Sequence, residues 1–385
     1  MTPRLSGVVL AAGLSSRMGT LKPLLPLDPE ALRTPLGLCL DLFHGSHINE
    51  VVVVTGHRRE EVSAAARAAG ARVVHNRDFA RGMYTSIRAG VAGLRENTDG
   101  FFLLPVDIPL VRCGTVRLLT QAFTQEPASV LHPVFAGRRG HPPLIAAELI
   151  PRICDQEEPA GGLRTLLAWV EADQPGQVRE IQVADRFIHL DMDTPAEHAA
   201  CVQQFVRRDW PSLVEAEAIL THLHPMSTKG LAHGRRVGEV AALLAERLIL
   251  ATGRPLEVEL CRVSGLLHDL AKEQPDHEEE GARWLRDLGF PRAAAIVAAH
   301  RDMTWHPDMG LGEREIVHLA DKLVRGSRIV PVRARFEEKL ALYQHDPEAI
   351  HAIKGRRRLA EQVATAIEAA LGQPLATLLP TDEQP

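Results

Sequence analysis

Val8-Val9-Leu10-Ala11-Ala12-Gly13-Leu14-Ser15-Ser16-Arg17-Met18-Gly19, followed by Lys22-Pro23-Leu24-Leu25-Pro26, decides how the first half of the chain is read. Residues 8–12 are apolar without interruption, and a glycine-bearing loop with two cations follows them. A strand apolar at every position suits a parallel sheet covered on both faces. Residues 51–55, 72–75, 101–106 and 188–192 have the same character and are predicted strands; residues 60–69 and 86–94 between them are predicted helices. Strands alternating with helices imply an α/β unit with a mostly parallel sheet. Ligands in such sheets sit beyond the carboxyl ends of the strands, which is where the loop from Gly13 to Lys22 lies.

The chain has 385 residues, enough for two or three domains. From about Leu213 the strand pattern stops. Residues 213–222, 233–250, 256–269, 278–288, 292–300, 313–323 and 356–371 are predicted helices, with Arg207-Arg208-Asp209-Trp210-Pro211 at the boundary. The expected organisation is an α/β domain over 1–205 and an all-α domain over 212–385, its motif core at 213–330. A net charge of -5 argues against bulk nucleic-acid binding, which needs a basic surface. No apolar run reaches the length of a membrane span, and the start shows no signal-peptide pattern. The five cysteines are scattered and odd in number, so a reducing cytoplasm is the expected location.

In the first loop, glycine lets the backbone approach a phosphate and expose its N–H donors. Arg17 and Lys22 add the charge a triphosphate needs, Arg17 with a fork suited to bidentate contact. Asp107, at the end of an apolar strand, is placed to hold Mg²⁺. Asp191 or Asp193 would supply a second carboxylate, and strand alternation puts both on one side.

This string resembles the signature of MobA-like nucleotidyltransferases, and within that group the molybdenum cofactor cytidylyltransferase branch. Asn76-Arg77-Asp78-Phe79-Ala80-Arg81-Gly82-Met83-Tyr84-Thr85-Ser86, Leu104-Pro105-Val106-Asp107-Ile108-Pro109-Leu110, Gly137-Arg138-Arg139-Gly140-His141-Pro142 and Asp191-Met192-Asp193-Thr194-Pro195-Ala196-Glu197 carry the resemblance further. His198 stands where the family usually has Asp. The resemblance implies a Rossmann-like sheet of the nucleotide-diphospho-sugar transferase type. It implies transfer of CMP from CTP to molybdopterin, with Ala11, Ala12, Gly13, Arg17, Lys22, Gly82, Thr85, Ser86 and Asp107 around the nucleotide and Mg²⁺. A sugar or alditol phosphate is the alternative acceptor, and molybdoenzyme maturation proteins are expected partners.

The second half places His233, His268-Asp269, His277, His300 and Asp321 in apolar helical surroundings. A buried carboxylate is costly unless paired or bound to metal, and several such groups on separate helices point to convergence on metal. The order H…HD…D resembles HD-domain phosphohydrolases, with His233, His268, Asp269 and Asp321 in the motif positions. His277 and His300 look like the extra ligands of the two-metal, YqeK-like subset that hydrolyses dinucleoside polyphosphates. His and carboxylate ligands suit a pair of divalent transition metals such as Fe or Mn. A nucleotide-sensing role for this half is the alternative. His306 and Lys354-Gly355-Arg356-Arg357-Arg358 read as solvated, the latter as a helix start, and Asp276–Glu280 as an acidic helix N-terminus.

Overall fold

Strand β1 (Leu5–Ala11) is buried at every position and lies centrally in its sheet. It pairs in parallel with β2 (Glu50–Thr55) on one side and β4 (Gly100–Pro105) on the other, and β2 pairs in parallel with β3 (Arg72–His75). Beyond β4 the sheet changes character. There β7 (Leu144–Ala146) runs antiparallel to β4, and β5 (Val130–Phe135) antiparallel to β7. The short β6 (Arg138–Arg139) is antiparallel to β5, and β8 (Val178–Gln182) is parallel to it. The computed structural model describes residues 2–28, 32–155 and 158–379, in two units, Met1–Arg208 and Asp209–Pro385. Helices of the first unit are α1 (Pro35–Gly45), α2 (Arg59–Ala68), α3 (Met83–Ala92), α4 (Cys113–Gln125), α5 (Ile150–Asp155), α6 (Leu163–Asp173) and α7 (Pro195–Val206). Helix α3 lies close on the sheet because Gly90 has no side chain: a Cβ there would sit 2.6 Å from Val8 Cγ1 and 2.7 Å from Val54 Cγ2.

The strand expected over 188–192 is absent. The Asp185 carboxylate accepts from Phe187 N at 3.1 Å and starts a single 3-10 turn, Arg186–His189. Its longer-range backbone bonds are isolated: His141 N to Ile188 O, 3.0 Å, and Met192 N to Asp107 O, 3.0 Å. No ladder forms, so strand alternation does not govern Asp191 and Asp193. Asp185 also accepts from Arg112 N (2.8 Å), Arg112 Nη1 (2.9 Å) and Thr115 Oγ1 (2.8 Å), a buried ion pair that clamps the segment to the loop after β4.

The second unit contains α8 (Leu213–Ala218), continued by a π-helical turn, then α9 (Thr228–Thr252), α10 (Val258–Leu267), α11 (His277–Leu288) and α12 (Pro291–Ala298). It goes on through α13 (Glu313–Leu323), α14 (Val332–Leu342), α15 (Pro347–Leu371) and α16 (Leu375–Leu378). It is not wholly helical. β9 (Val324–Arg325) and β10 (Arg328–Ile329) form a small hairpin, made possible by Gly326 at φ +59°. The Lys354–Arg358 stretch lies inside α15 rather than at its start, because Asp346 caps the helix earlier by accepting from Ala349 N at 3.0 Å. No helix among the described residues is long and apolar enough to cross a membrane.

Helices α9 and α10 cross with backbones almost touching. A Cβ at Gly234 would lie 2.5 Å from Leu266 O, one at Gly238 2.5 Å from Arg262 O, and one at Gly265 2.8 Å from Gly238 Cα. This seam brings His233 on α9 beside His268 at the end of α10, their ring centroids 5.1 Å apart.

Candidate functional sites

The loop after β1 turns at Ser15 (φ +52°) and Gly19 (φ +70°), and Ser15 O accepts from Met18 N and Gly19 N at 3.1 Å each. Gly13 is not sterically required there, since a Cβ on it would meet nothing within 4 Å. Ser15 Oγ accepts from Lys22 N at 3.3 Å, which returns the chain to the end of the sheet. Lys22 is buried. Its ammonium bonds Asp193 Oδ1 and lies 3.7 Å from Asp107 Oδ2, while the exposed Arg17 pairs with Asp193 Oδ2. Of the two carboxylates left open by the sequence, Asp193 joins this group and Asp191 is exposed. Burial raises the Asp107 carboxyl against the pull of Lys22, and the Lys22 hydrogen bond, helped by Arg17, holds Asp193 below its ordinary range. Two neighbouring carboxylates of this kind form a hard oxygen donor set that suits Mg²⁺.

Lys22 and Asp107 line a cleft of about 290 Å³ together with Ala12, Gly13, Gly82 and Ser86. Ala11 ends β1 in the core, and Thr85 turns its hydroxyl to Gly82 O at 2.8 Å. Asn76 holds the cleft wall by donating to both Thr85 Oγ1 and Ser86 Oγ at 2.9 Å. A larger cleft of about 870 Å³ shares Leu10, Met83 and Pro105 with it and reaches His132, Arg139, His141 and Arg164. His198 donates to Pro26 O at 3.0 Å, tying α7 to the end of the Lys22 loop.

In the helical unit, His268 and Asp269 lie where α10 passes into a turn, so both can face one point despite being neighbours in sequence. His233, His268 and Asp321 form one cluster and Asp269, His277 and His300 another, each with its candidate ligand atoms within 4.8 Å of one another. Asp269 faces both clusters. Its Oδ2 is 3.5 Å from His268 Nε2 and 3.9 Å from His233 Nε2, whereas Oδ1 is 3.9 Å from the Nε2 atoms of His277 and His300. His233, His268 and His300 donate Nδ1–H to the carbonyls of Gly326 (2.9 Å), Gly265 (2.7 Å) and Val297 (2.7 Å). That tautomer aims the Nε2 lone pairs inward.

His268 Nε2 is buried without a hydrogen-bond partner, and its nearest carboxylate oxygens stand at 3.5 Å. Leaving such an atom unsatisfied is costly, and a divalent cation satisfies it; the His and Asp set fits a transition metal. Burial pushes His268 down, but Asp321 and Asp269 outweigh it and raise the imidazole overall. Burial, with His268 next, takes His300 down to about 4. Asp269 is lowered to about 2 because His268 and Lys272 overcome its burial, and Asp321 falls well below its usual range beside Lys322.

Several groups in these sites lack a motif of their own. Lys322 Nζ bonds Asp321 Oδ2 (2.6 Å) and His300 O (3.2 Å), His318 Nδ1 donates to the same carbonyl at 2.9 Å, and Arg335 reaches Asp321 Oδ1 at 3.1 Å. Only the adjacency of Lys322 to Asp321 was visible in the sequence. His306 is exposed and pairs with Asp308 at 3.1 Å.

An α/β sheet with paired carboxylates beyond its strand ends, joined to a helical His/Asp unit, defines a nucleotidyltransferase-type domain followed by an HD domain. The chain belongs to the MobA-like NTP transferase domain family, matched over residues 7–178, and carries an HD domain over 230–326. Molybdenum cofactor cytidylyltransferase of Escherichia coli (strain K12) is 24% identical over 204 residues, covering 51% of this chain and 95% of that protein. Nicotine blue oxidoreductase of Paenarthrobacter nicotinovorans is 32% identical over 201 residues, covering 50% of this chain and 93% of that protein. Among solved structures, a nucleotidyl transferase from Methanothermobacter thermautotrophicus is 23% identical with a TM-score of 0.45, covering 53% of this chain and 98% of its own. The family implies a nucleoside triphosphate substrate and a phosphate-bearing acceptor.

Proposed function

We propose that the chain is a bifunctional cytoplasmic enzyme. Its first domain, residues 1–205, transfers CMP from CTP to molybdopterin with release of pyrophosphate, within the reach of molybdoenzyme maturation proteins. The observation that carries this reading is Lys22 between Asp107 and Asp193, with Lys22 and Asp107 lining a cleft that shares Leu10, Met83 and Pro105 with a larger one. Two clefts with a shared wall suit a reaction that brings an acceptor phosphate in line with the α-phosphate of a nucleotide. Mg²⁺ held by Asp107 and Asp193 would supply neutralisation of the charge that develops on the transferred group. Lys22 and Arg17 contact the triphosphate, and backbone N–H groups of the loop around Gly13 line its path. Arg139, Arg164 and His141 in the larger cleft orient the acceptor. Labelled CTP, molybdopterin and Mg²⁺ should give pyrophosphate; silence there, with release from another nucleotide and acceptor, refutes the substrate assignment.

Residues 212–385 form the second activity, a metal-dependent phosphohydrolase. The supporting observation is Asp269, whose two oxygens face two separate ligand clusters. A pair of divalent metals such as Fe or Mn, held by His233, His268, Asp269, His277, His300 and Asp321, would supply Lewis acidity toward a phosphate. Lys272, exposed beside Asp269, contacts the substrate's phosphates. Metal analysis after gentle purification, coupled to phosphate release, tests it: a metal-free, inactive domain refutes the reading.

A further inference from the structure

Asp321 is held by two cations, one on each oxygen. Lys322 Nζ donates to Oδ2 at 2.6 Å, and Arg335 Nη2 donates to Oδ1 at 3.1 Å. Oδ1 is also the oxygen that faces the imidazoles, 3.4 Å from His233 Nε2 and 3.5 Å from His268 Nε2. A carboxylate oxygen accepts about two bonds, so Arg335 takes one position and leaves the other toward the rings. The second arm of the same guanidinium goes elsewhere. Arg335 Nη1 donates to Val324 O at 2.6 Å, on the first strand of the β9–β10 hairpin. Each strand of that hairpin is two residues long, too short to fix its shape by its own ladder. Its turn residue, Gly326, supplies the carbonyl that takes His233 Nδ1–H at 2.9 Å. One fork therefore reaches two members of the same ligand cluster, Asp321 directly and His233 through the hairpin.

Arg335 comes from α14, beyond the HD span that ends at residue 326. Val332 and Phe336 bury one face of this helix, and Arg335, three residues after Val332, shares that face. Arg333 lies exposed on the other side and pairs with Glu337. We propose that Arg335 is a positioning residue of the helical centre: its fork aims Asp321 Oδ1 and, through the hairpin, His233 at one divalent cation. The Asp269, His277 and His300 cluster receives no bond from it. This rests on the metal-dependent reading given above. Removing an outer partner of this kind typically costs about 10–100-fold in metal affinity. A lysine cannot replace the fork, because its ammonium is a point charge without the fixed pair of planar donors.

The test titrates Co²⁺ into the metal-free full-length chain and follows the visible absorption of the His-ligated ion. Asp107→Asn is present throughout, to weaken the carboxylate site of the other domain. Two ions should bind. Arg335→Gln should weaken one of them about 10–100-fold and alter its spectrum, with the other held within a few-fold. Arg335→Lys keeps the charge but loses the fork, so it should show the same selective loss; it decides the matter if Arg335→Gln does not fold. Arg333→Gln, on the exposed side of α14, should bind both ions as the parent chain does. Unchanged affinities in Arg335→Lys, or an equal weakening of both ions such as general loosening of the unit would give, overturn the positioning role alone. A parent chain that binds fewer than two ions refutes the two-metal reading, and the positioning role with it.

Discussion

Replacing Gly238 with Ala tests whether the glycine seam between α9 and α10 sets the ligand spacing of the helical centre. The added Cβ would sit 2.5 Å from Arg262 O, and relief to ordinary contact at 3.4 Å opens the seam by about 0.9 Å. Two opposing energies follow. Overpacking costs about 1–3 kcal/mol, while Ala in place of Gly inside a helix returns about 0.8–1 kcal/mol. The net loss is then on the order of 0–2 kcal/mol, and the unit stays folded with a melting temperature lower by at most several degrees. The effect on the centre is larger, because functional geometry tolerates about 0.5 Å and His233 and His268 stand on opposite sides of the seam. Metal affinity, measured by competition with a chromophoric chelator, should fall roughly 10–100-fold. Gly355→Ala is the control: it lies in α15 with nothing within 4 Å of its Cβ, so it should stabilise the protein by up to about 1 kcal/mol and leave metal binding alone. A folded Gly238→Ala protein with wild-type metal affinity would refute the reasoning.

Asp107→Asn and Asp193→Asn should each lower nucleotidyl transfer by about 10²–10³, whereas Asp191→Asn should leave the rate within a few-fold; a large loss from Asp191→Asn alone would count against the assignment. Arg112→Met leaves the buried Asp185 carboxylate without its counter-ion, though still accepting from the backbone N–H of residue 112, Thr115 Oγ1 and Phe187 N, so urea unfolding should show a loss of up to about 3–5 kcal/mol. His132, taken down to about 4 from 6.5 by burial and then by Arg139, is neutral when folded and protonates in the unfolded chain. Between pH 6.5 and about 4 the unfolded state therefore binds more protons, and stability falls as pH falls, by at most about 3 kcal/mol. His132→Phe should flatten that slope in thermal melts at a series of pH values, and an unchanged slope would exclude His132 as its source.

Of the strands that could be read from the chain, β1, β2 and β4 are buried along nearly their whole length, because parallel pairing beneath helices leaves unbroken apolar runs, whereas β3 lies at the sheet's edge and is less buried. The strands beyond β4 escaped for an equally physical reason. β5 carries His132 and Pro133, β8 places Arg179 and Glu180 among its apolar residues, and β6 spans only Arg138 and Arg139. Apolar residues 188–192 looked like a strand because burial alone was visible, not the Asp185 side chain that starts a turn there. Candidate ligands in the helical unit were legible as residue types in apolar surroundings. Their orientation was not, since it depends on carbonyls of Gly265, Val297 and Gly326 and on a hairpin too short to leave a pattern. Asp191 and Asp193 were left open together at the same point, with strand alternation applied to a segment that forms no ladder.

Arg17, Lys22, Asp107 and Asp193 carry two positive and two negative formal charges within one set of contacts. Their field largely cancels a short distance away, so the loop steers neither a polyanion nor a cation from afar. At the proposed nucleotide site, encounter is accordingly expected to be governed by diffusion and shape, with an association rate that varies only weakly with ionic strength. Discrimination begins on contact, when these four charges exchange one another for the incoming groups.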